Sequence, residues 1–326
     1  MISNKQILLL TSLLIFAAAS ILFSLLSGSV DITLAEIAGS ILSSESNLNS
    51  QVLQEIRIPR TLAAFVTGGL LALSGAIMQV LLRNPLADPY ILGISGGAAV
   101  GALSAILLGA SGFWLSNAAF AGALLSIFLV FGIANQFGDW SVTRLLLTGV
   151  VVSAGWGAVI NILLTTSSTN NVQSMLFWLM GDLSQSRVNL AHYLLLIVGL
   201  AGGLLLSRSL NVLIRGELLA VSLGVNVQAL RLLLFFSASV FTATAVTIAG
   251  SVGFVGLIIP HMLRLLGARD HRLLIPSCIL LGGSFLVIAD SLARTIVAPQ
   301  QLPVGVVTAV IGVPAFILIL RSTIRK

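Results

Sequence analysis

One sequence match in the chain could support nucleophilic chemistry. Gly93-Ile94-Ser95-Gly96 matches the GxSG pattern found around some membrane-embedded serine nucleophiles. Such a serine needs a histidine base, and the three histidines, His192, His261 and His271, lie far along the chain from it. Because glycine-rich apolar segments produce GxSG by chance, the sequence favours a protein that is not an enzyme. Loss of activity on changing Ser95 would indicate a hydrolase instead.

Ionisable residues within apolar segments would indicate an ion-coupled carrier. The candidates are Asp290 and His192, and each lies near the end of an apolar segment. Asp290 is four residues before Arg294, so a local helical ion pair is favoured over an ion-binding role. A secondary carrier stays open as a distant alternative, since it would work without an ATPase and respond to protonophores.

The chain has no nucleotide-binding loop of its own. A phosphate-binding loop needs the lysine of GxxxxGK[ST], and the only lysines are Lys5 and Lys326. The histidines and the single cysteine, Cys278, are widely separated and do not suggest a metal site. We therefore expect no cofactor in this chain, and ATP-driven transport would require another subunit that binds the nucleotide.

The composition indicates which elements must position these residues. Hydrophobic residues make up 57% of the 326 residues and charged residues only 8%, and the mean hydropathy is +1.11. A soluble core does not need that much apolar surface, so we predict an all-α polytopic membrane protein with a single domain, 1–326. The predicted spans are about 7–26, 57–82, 91–108, 117–136, 145–164, 190–206, 232–250, 254–266, 273–289 and 304–320.

The basic residues predict the orientation of these ten spans. An even number puts both termini on one side, and all but four of the 16 Lys and Arg residues fall on that side. The positive-inside rule therefore makes it cytoplasmic. The exceptions are Arg57, Arg60, Arg187 and Arg294. Basic residues scattered in this way give no surface for nucleic acid.

The first span and two segments between spans complete the predicted topology. The first apolar run approaches the thickness of a bilayer, so we expect a retained span rather than a cleaved signal peptide. Residues 27–55 are predicted to contain a surface helix, and residues 165–189 to form a loop.

Spans 2–5 and 7–10 are predicted to be inverted repeats. Gly75 precedes Pro85 by ten residues and Gly250 precedes Pro260 by ten, each pair at the end of one span and the start of a kinked one. An offset of five spans inverts the second copy, as in many transporters.

Small and polar residues recur along span five. Ser153, Gly157, Asn161 and Thr165 are spaced by four residues and would share one helix face. Such a face either lines a water-filled path or allows two helices to pack closely. Asn161 favours the path, because burying an amide in lipid is costly.

Three arginines lie at the predicted outer ends of spans, against the charge bias. Arg57 and Arg60 flank Pro59 at the start of span two, and Arg294 ends span nine. A lone arginine can extend toward the headgroups. Because all three share one side, we favour a role in binding an acidic partner.

The segment 215–231 is the core of the longest polar break in the C-terminal half. Arg215 and Arg231 bound this segment and Glu217 lies near its start, which keeps it out of lipid. Its apolar residues are Leu218, Leu219, Val221, Leu223 and Val225. This pattern predicts a short amphipathic helix ended by Gly224. A cytosolic partner that pushes the permease would need such a helix, and an interfacial helix resting on headgroups would look the same.

Five long blocks then suggest a family. They are RIPRTLAAFVTGGLLALSGAIMQ (57–79), RNPLADPYILGISGGA (83–98), MLFWLMGDLS (175–184), VGFVGLIIPHMLRLLGARDHRLLIP (252–276) and QLPVGVVTAVIGVPAF (301–316). In these blocks the chain resembles the FecCD/BtuC-type permeases, the membrane subunits of bacterial importers for iron–siderophores, haem and cobalamin. The resemblance extends over nearly the whole length.

This resemblance implies an assembly in the bacterial inner membrane. It implies a homodimer of ten-span subunits with the translocation path at the dimer interface, and a heterodimer of paralogous subunits also stays open. It further implies two cytosolic ATPase subunits, which hold ATP and Mg, and a periplasmic binding protein.

The resemblance also assigns roles to residues of this chain. The outer arginines Arg57, Arg60 and Arg294 match positions that receive glutamates of the binding protein. The coupling loop that docks in the ATPase, here about 208–231, matches at Glu217, Ala220, Leu223 and Gly224. Positions that narrow the cytoplasmic exit match at Asn84, Leu86, Val142 and Thr143.

One position departs from the family pattern. The family often has Glu before the Leu-Pro-Val-Gly run, and this chain has Gln301. The missing carboxylate leaves the pairing near Arg294 open. The cargo also stays open: iron–siderophore is expected first because it is the commonest in the family, with cobalamin and haem as alternatives.

Overall fold

The computed structural model describes residues 4–28, 30–42, 48–135 and 141–324, and the regular secondary structure within these ranges is helical. The helices are α1 (Asn4–Leu26), α2 (Leu34–Leu42), α3 (Leu48–Gln51), α4 (Ile58–Leu81), α5 (Ile94–Leu107), α6 (Phe113–Ala134), α7 (Val142–Thr166), α8 (Thr169–Met180), α9 (Leu190–Leu213), α10 (Glu217–Ser222), α11 (Val227–Ala249), α12 (Val255–Leu265), α13 (His271–Thr295) and α14 (Val304–Ile324). A π-helical turn, Val52–Arg57, leads into α4, and a 3₁₀ turn, Pro89–Leu92, precedes α5.

The helices confirm the prediction of an all-α polytopic membrane protein. Seven helical segments of the described chain are long and apolar enough to cross a membrane, and α5, α12 and α14 supply shorter apolar helices. Together they place a helix at each of the ten predicted spans. Gln136, the predicted end of span four, lies outside the described residues, as does Lys326.

The helix α4 is the centre of the bundle. Nearly all of its side chains are buried, and it packs against α11, α12 and α13. Glycines permit this close approach, since a Cβ on Gly68 would overlap the carbonyl of Gly282 and one on Gly75 would overlap the carbonyl of Gly256. Small residues at helix contacts are the usual basis of packing in a membrane, where lipid removes the hydrophobic drive.

In two segments between the spans, helices occupy part of the chain that the sequence predicts to be loop. The coupling loop, predicted as about 208–231, is confined to 214–226 around α10, because α9 continues to Leu213 and α11 begins at Val227. The predicted loop 165–189 contains the helix α8. The first half of α8 is polar, so the sequence does not show the apolar periodicity that predicts a helix. The surface helix predicted in 27–55 is confirmed as α2, where Thr33 and Glu36 cap its start.

The glycine–proline pairs do not support the inverted repeat. Gly75 is in the middle of α4 whereas Gly250 ends α11, and Pro85 is in a loop whereas Pro260 is inside α12. The two halves share one other local feature. The short helices α5 and α12 each follow a residue with left-handed backbone, Gly93 with φ 70° and Phe254 with φ 71°. The repeat of spans 2–5 and 7–10 stays a prediction.

Candidate functional site

The outer ends of α4 and α13 meet in a buried ion pair. Arg60 lies in the first turn of α4, directly after Pro59, and is 5% exposed. Its Nε donates to both carboxylate oxygens of Asp290 at 3.0 Å, and its second guanidinium nitrogen donates to Oδ1 at 2.9 Å. Its remaining nitrogen donates to Oε1 of Gln301 at 2.9 Å. Gln301 therefore pairs with Arg60, not with Arg294. Forked contacts of this kind are among the stronger ion pairs in proteins.

Asp290 also serves a second arginine. The Nε atom of Arg294 lies 3.2 Å from Oδ2 of Asp290, which confirms the predicted ion pair at a spacing of four residues. Arg294 further donates to the hydroxyl of Ser24 at 2.9 Å, so it links α13 to α1.

Arg57 makes a different set of contacts. Its guanidinium donates to the carbonyl of Leu25 at 2.7 Å, to that of Leu26 at 3.2 Å and to that of Val30 at 2.5 Å. Two of these carbonyls belong to the last turn of α1. The carbonyls of a last helical turn have no backbone N–H partner within the helix, and they attract positive charge. Arg57 is 3% exposed, so it acts as a cap for α1.

We call Arg57, Arg60, Arg294 and Asp290 the outer arginine cluster. Arg60 and Arg294 share the carboxylate of Asp290, and Arg57 bonds only backbone carbonyls. The cluster therefore has three guanidinium groups and one carboxylate, an excess of positive charge on the predicted outer side. The side chains are nonetheless buried and bonded within the chain. The spacing of Asp290 and Arg294 predicted their ion pair from the sequence. The hydrogen bonds from Arg57 to backbone carbonyls could not be predicted in this way. The docking role stays a prediction.

On the opposite side of the bundle, α10 has the predicted form of a short helix. Leu223 follows its last residue, and Gly224 has a φ of 79°. The amide of Gly224 donates to the carbonyl of Val221 and that of Val225 to Ala220, both at 2.9 Å. This is the usual arrangement of a helix end with glycine in the left-handed region.

The two faces of α10 differ sharply. Ala220 is fully buried against the bundle, whereas Leu218 is 89% exposed and Leu223 is 62% exposed. Glu217 fixes the helix, since its Oε2 accepts from Arg231 at 2.6 Å and from Arg83 at 3.2 Å. The exposed face is therefore apolar and its base is held by two arginines.

The Glu217–Arg83 contact joins α10 to the segment 83–89, which we call the gate segment. Arg83 itself has a left-handed backbone with φ 47°. The next residue, Asn84, is exposed and its Oδ1 accepts from the amide of Leu86 at 2.9 Å, which forms a tight turn. Leu86 is half-buried. The ion pair between Glu217 and Arg83 thus places α10 beside this turn.

Val142 and Thr143, the second pair of predicted exit residues, form the first turn of α7. Two turns further on, Gly149 packs against the backbone of Ile91, where a Cβ would overlap the carbonyl. The structure thereby holds the start of α7 close to the chain that follows the gate segment. No hydrogen bond between the two predicted exit pairs is found among the described residues.

The predicted stripe of α7 does not lie on one exposed face. Asn161 and Thr165 are exposed, but Ser153 and Gly157 are only half-exposed, and the Ser153 hydroxyl donates to the carbonyl of Gly149 at 2.7 Å. Residues spaced by four drift about 40° per step around a helix that repeats every 3.6 residues, so the predicted stripe crosses the boundary of the exposed face. The small and polar members of the exposed face are Ala154, Ala158, Asn161 and Thr165.

The geometry gives no support to a serine hydrolase. The hydroxyl of Ser95 donates to that of Ser251 at 2.9 Å. The histidines are bonded elsewhere: His192 to the amide of Asn189, His261 to the carbonyl of Pro85 and His271 to the side chain of Asn211. Ser95 therefore has no histidine base in this arrangement.

Comparison with known proteins places the chain among transport permeases. The model of the FecCD transport family matches residues 13–322. A cobalamin import system permease, BtuC of Halobacterium salinarum, is 45% identical over 82% of this chain and 72% of its own length. The vitamin B12 import permease BtuC of Klebsiella pneumoniae is 42% identical over 82% of each chain. The ABC transporter permease YvrB of Bacillus subtilis is 38% identical over 94% of this chain and 91% of its own.

Solved structures show the same fold. A metal-chelate-type ABC transporter in an inward-facing conformation superposes with a TM-score of 0.86 and 31% identity, covering 96% of this chain and 98% of the other. PsaBC of Streptococcus pneumoniae gives a TM-score of 0.54 at 19% identity over 87% of this chain and 95% of the other, which is a likeness of fold alone.

Proposed function

The chain belongs to the FecCD transport family and is the permease subunit of an ABC importer, and we propose that its cargo is cobalamin or a closely related metal chelate, carried across the inner membrane. The similarity to named cobalamin permeases of two organisms supports this cargo. Ferric siderophores, expected first from the sequence, become the second candidate. The solved relative described as a metal-chelate transporter keeps that candidate open.

The driving force is proposed to come from two separate ATPase subunits that hold ATP and Mg. The single observation that carries this is the structure of α10. Its leucines face outward while Glu217 ties its base to Arg83 and Arg231. An exposed apolar face on a fixed helix is suited to a protein partner, as is typical of apolar patches larger than isolated residues.

A second copy of the permease is the proposed partner of α7. This helix exposes Val151, Ala154, Ala158 and Asn161 along one side in the single chain. No described residue bonds the Asn161 amide, and an amide facing lipid would lack hydrogen bonds. A water-filled path between two copies would supply them. The proposal requires only that Asn161 face that path.

Cysteine accessibility tests this path. Cys278 is fully buried and is first replaced by alanine. Asn161→Cys should then react with a small hydrophilic thiol reagent in the assembled complex. Val159→Cys is the matched control, because Val159 is also exposed in the single chain but faces a direction about 160° away from Asn161. Equal labelling of both cysteines, or of neither in any transport state, would contradict the path.

A periplasmic binding protein is the proposed third partner, on the outer side. The outer arginine cluster has more guanidinium groups than carboxylates, so its field would attract acidic side chains of that protein. Since these arginines are buried, the proposed docking depends on the field of the cluster and on the small exposed part of each side chain.

Uptake by the reconstituted complex tests the cargo. The permease, its ATPase and its binding protein are placed in vesicles with ATP inside, and radiolabelled cobalamin is compared with a ferric hydroxamate chelate. We expect ATP-dependent uptake of cobalamin and not of the ferric chelate. Uptake of the ferric chelate alone would overturn the cargo while leaving the permease function intact, and uptake that is independent of ATP would indicate a secondary carrier.

A further inference from the structure

A basic cavity lies at the end of α9 that the charge bias assigns to the cytoplasm. Its volume is about 370 Å³, and it is lined by Arg208, Asn211, Val212, Arg215, Asp270 and Arg272. The outer arginine cluster, the exit residues and α10 do not contribute to it.

The floor of this cavity is built by hydrogen bonds between α9 and α13. Asn211 donates from Nδ2 to Oδ1 of Asp270 at 2.8 Å, and its own Oδ1 accepts from the backbone amide of His271 at 3.0 Å. Asp270 also accepts from the amide of Arg272 at 2.9 Å, which caps α13. The cavity is thus a fixed feature of the junction between two helices.

Charge in the cavity favours an anion. Burial alone would raise the pKa of Asp270, but its bonds to the amides of Arg272 and Asn211 and the charge of Arg272 hold that pKa below its ordinary value. Asp270 is therefore ionised and already bonded. Three exposed arginines face this single carboxylate, and no described residue forms an ion pair with any of their side chains.

The location of the cavity indicates which anion. One side of α9 is an exposed apolar stripe, and a turn of 100° per residue puts Arg208 in line with it. The stripe consists of Leu190, Leu194, Ile197, Val198, Ala201, Leu204 and Leu205. An apolar stripe of this length facing outward is suited to acyl chains, and it leads directly to the arginines.

We propose that this cavity binds the phosphate headgroup of an anionic phospholipid of the inner leaflet, with its acyl chains along α9. Arginine is suited to phosphate because its planar fork donates two parallel hydrogen bonds. Basic pockets between spans on the cytoplasmic side are known to hold such headgroups. The site is independent of the cargo and of the path proposed above.

Native mass spectrometry of the purified full-length permease tests the site. Phosphatidylglycerol, phosphatidylcholine and inorganic phosphate are added in separate arms. We expect one tightly bound phosphatidylglycerol, no comparable phosphatidylcholine, and no displacement by millimolar phosphate. Each basic residue near an anionic surface contributes about a fivefold change in affinity, so the triple variant Arg208→Gln/Arg215→Gln/Arg272→Gln should weaken binding about a hundredfold.

A matched pair of single variants keeps the test decisive if the triple variant does not fold. Arg272→Gln should weaken binding about fivefold, whereas Arg269→Gln, an exposed arginine three residues earlier that does not line the cavity, should leave it unchanged. Equal effects of the two, equal binding of phosphatidylcholine, or displacement by inorganic phosphate would overturn the proposal. Loss of the ATPase from the assembled complex with lipid binding intact would assign the arginines to the ATPase instead.

Discussion

The two ends of the permease meet their proposed partners with opposite kinds of surface. On the outer side, charged groups are buried: Arg60 is 5% exposed and shares Asp290 with Arg294. On the inner side, apolar groups are exposed: Leu218 is 89% and Leu223 is 62% exposed on α10. The side chains of the outer arginine cluster therefore bond and stabilise the single chain, whereas the exposed leucines of α10 do not pack against it.

This difference separates residues that support the fold from residues that are available to a partner. Removing one member of a buried charge pair leaves the other charge without compensation, so the cost falls on the stability of the permease. Changing an exposed leucine costs the single chain little, so any effect on transport must come from a partner. We therefore expect substitutions in the outer arginine cluster to lower the stability of the permease, and substitutions on the exposed face of α10 to lower transport without lowering stability.

The largest effect is expected at Arg60. Arg60→Ala removes the forked contact with Asp290 and should destabilise the permease by about 3–5 kcal/mol. Thermal unfolding of the purified protein in detergent measures this loss. Arg187→Ala is the matched control, since Arg187 is an exposed arginine on the same predicted side. Similar unfolding temperatures for Arg60→Ala and Arg187→Ala would show that the buried pair does not support the fold.

A smaller effect is expected at Gly224. A Cβ at this position meets no atom within 4 Å, so the cost of a side chain comes from the φ of 79° alone. Gly224→Val should therefore cost about 1–2 kcal/mol locally. Hydrogen exchange in α10 should accelerate without a change in global unfolding. Gly224→Asn is the control, because asparagine tolerates the left-handed region, and equal exchange in the two variants would contradict the role of φ.

The smallest effect is expected at Gln301. Gln301→Glu places a second carboxylate 2.9 Å from Arg60 and should stabilise the outer arginine cluster by about 1 kcal/mol. It also lowers the excess positive charge, so docking of the binding protein at low salt should weaken. Gln300→Glu adds the same charge at an exposed neighbour that does not bond Arg60. Docking that weakens equally in both variants would exclude a specific role of the cluster.

The sequence predicted the elements better than their contacts. Ten apolar segments, the helix before Gly224 and the Asp290–Arg294 pair depend on composition or on spacing within one element, and the structure contains them. The bonds of Arg57 to the last turn of α1 and of Glu217 to Arg83 join residues distant in the sequence. No local pattern encodes such contacts. The rotation of the exposed face of α7 away from Ser153 follows from packing against the turn before α5, which spacing alone does not reveal.

The central claim is that α10 transmits force between the ATPase and the permease. Leu223→Asp tests it in the reconstituted complex, with Leu266→Asp as control because that leucine is on the same side and 61% exposed. For Leu223→Asp we expect loss of uptake and of ATPase stimulation by the loaded binding protein, with normal unfolding temperature and normal outer docking. Leu266→Asp should behave like the unchanged protein. Full uptake and full ATPase stimulation in Leu223→Asp, at normal expression, would contradict the claim and leave α10 as a helix resting on the lipid headgroups.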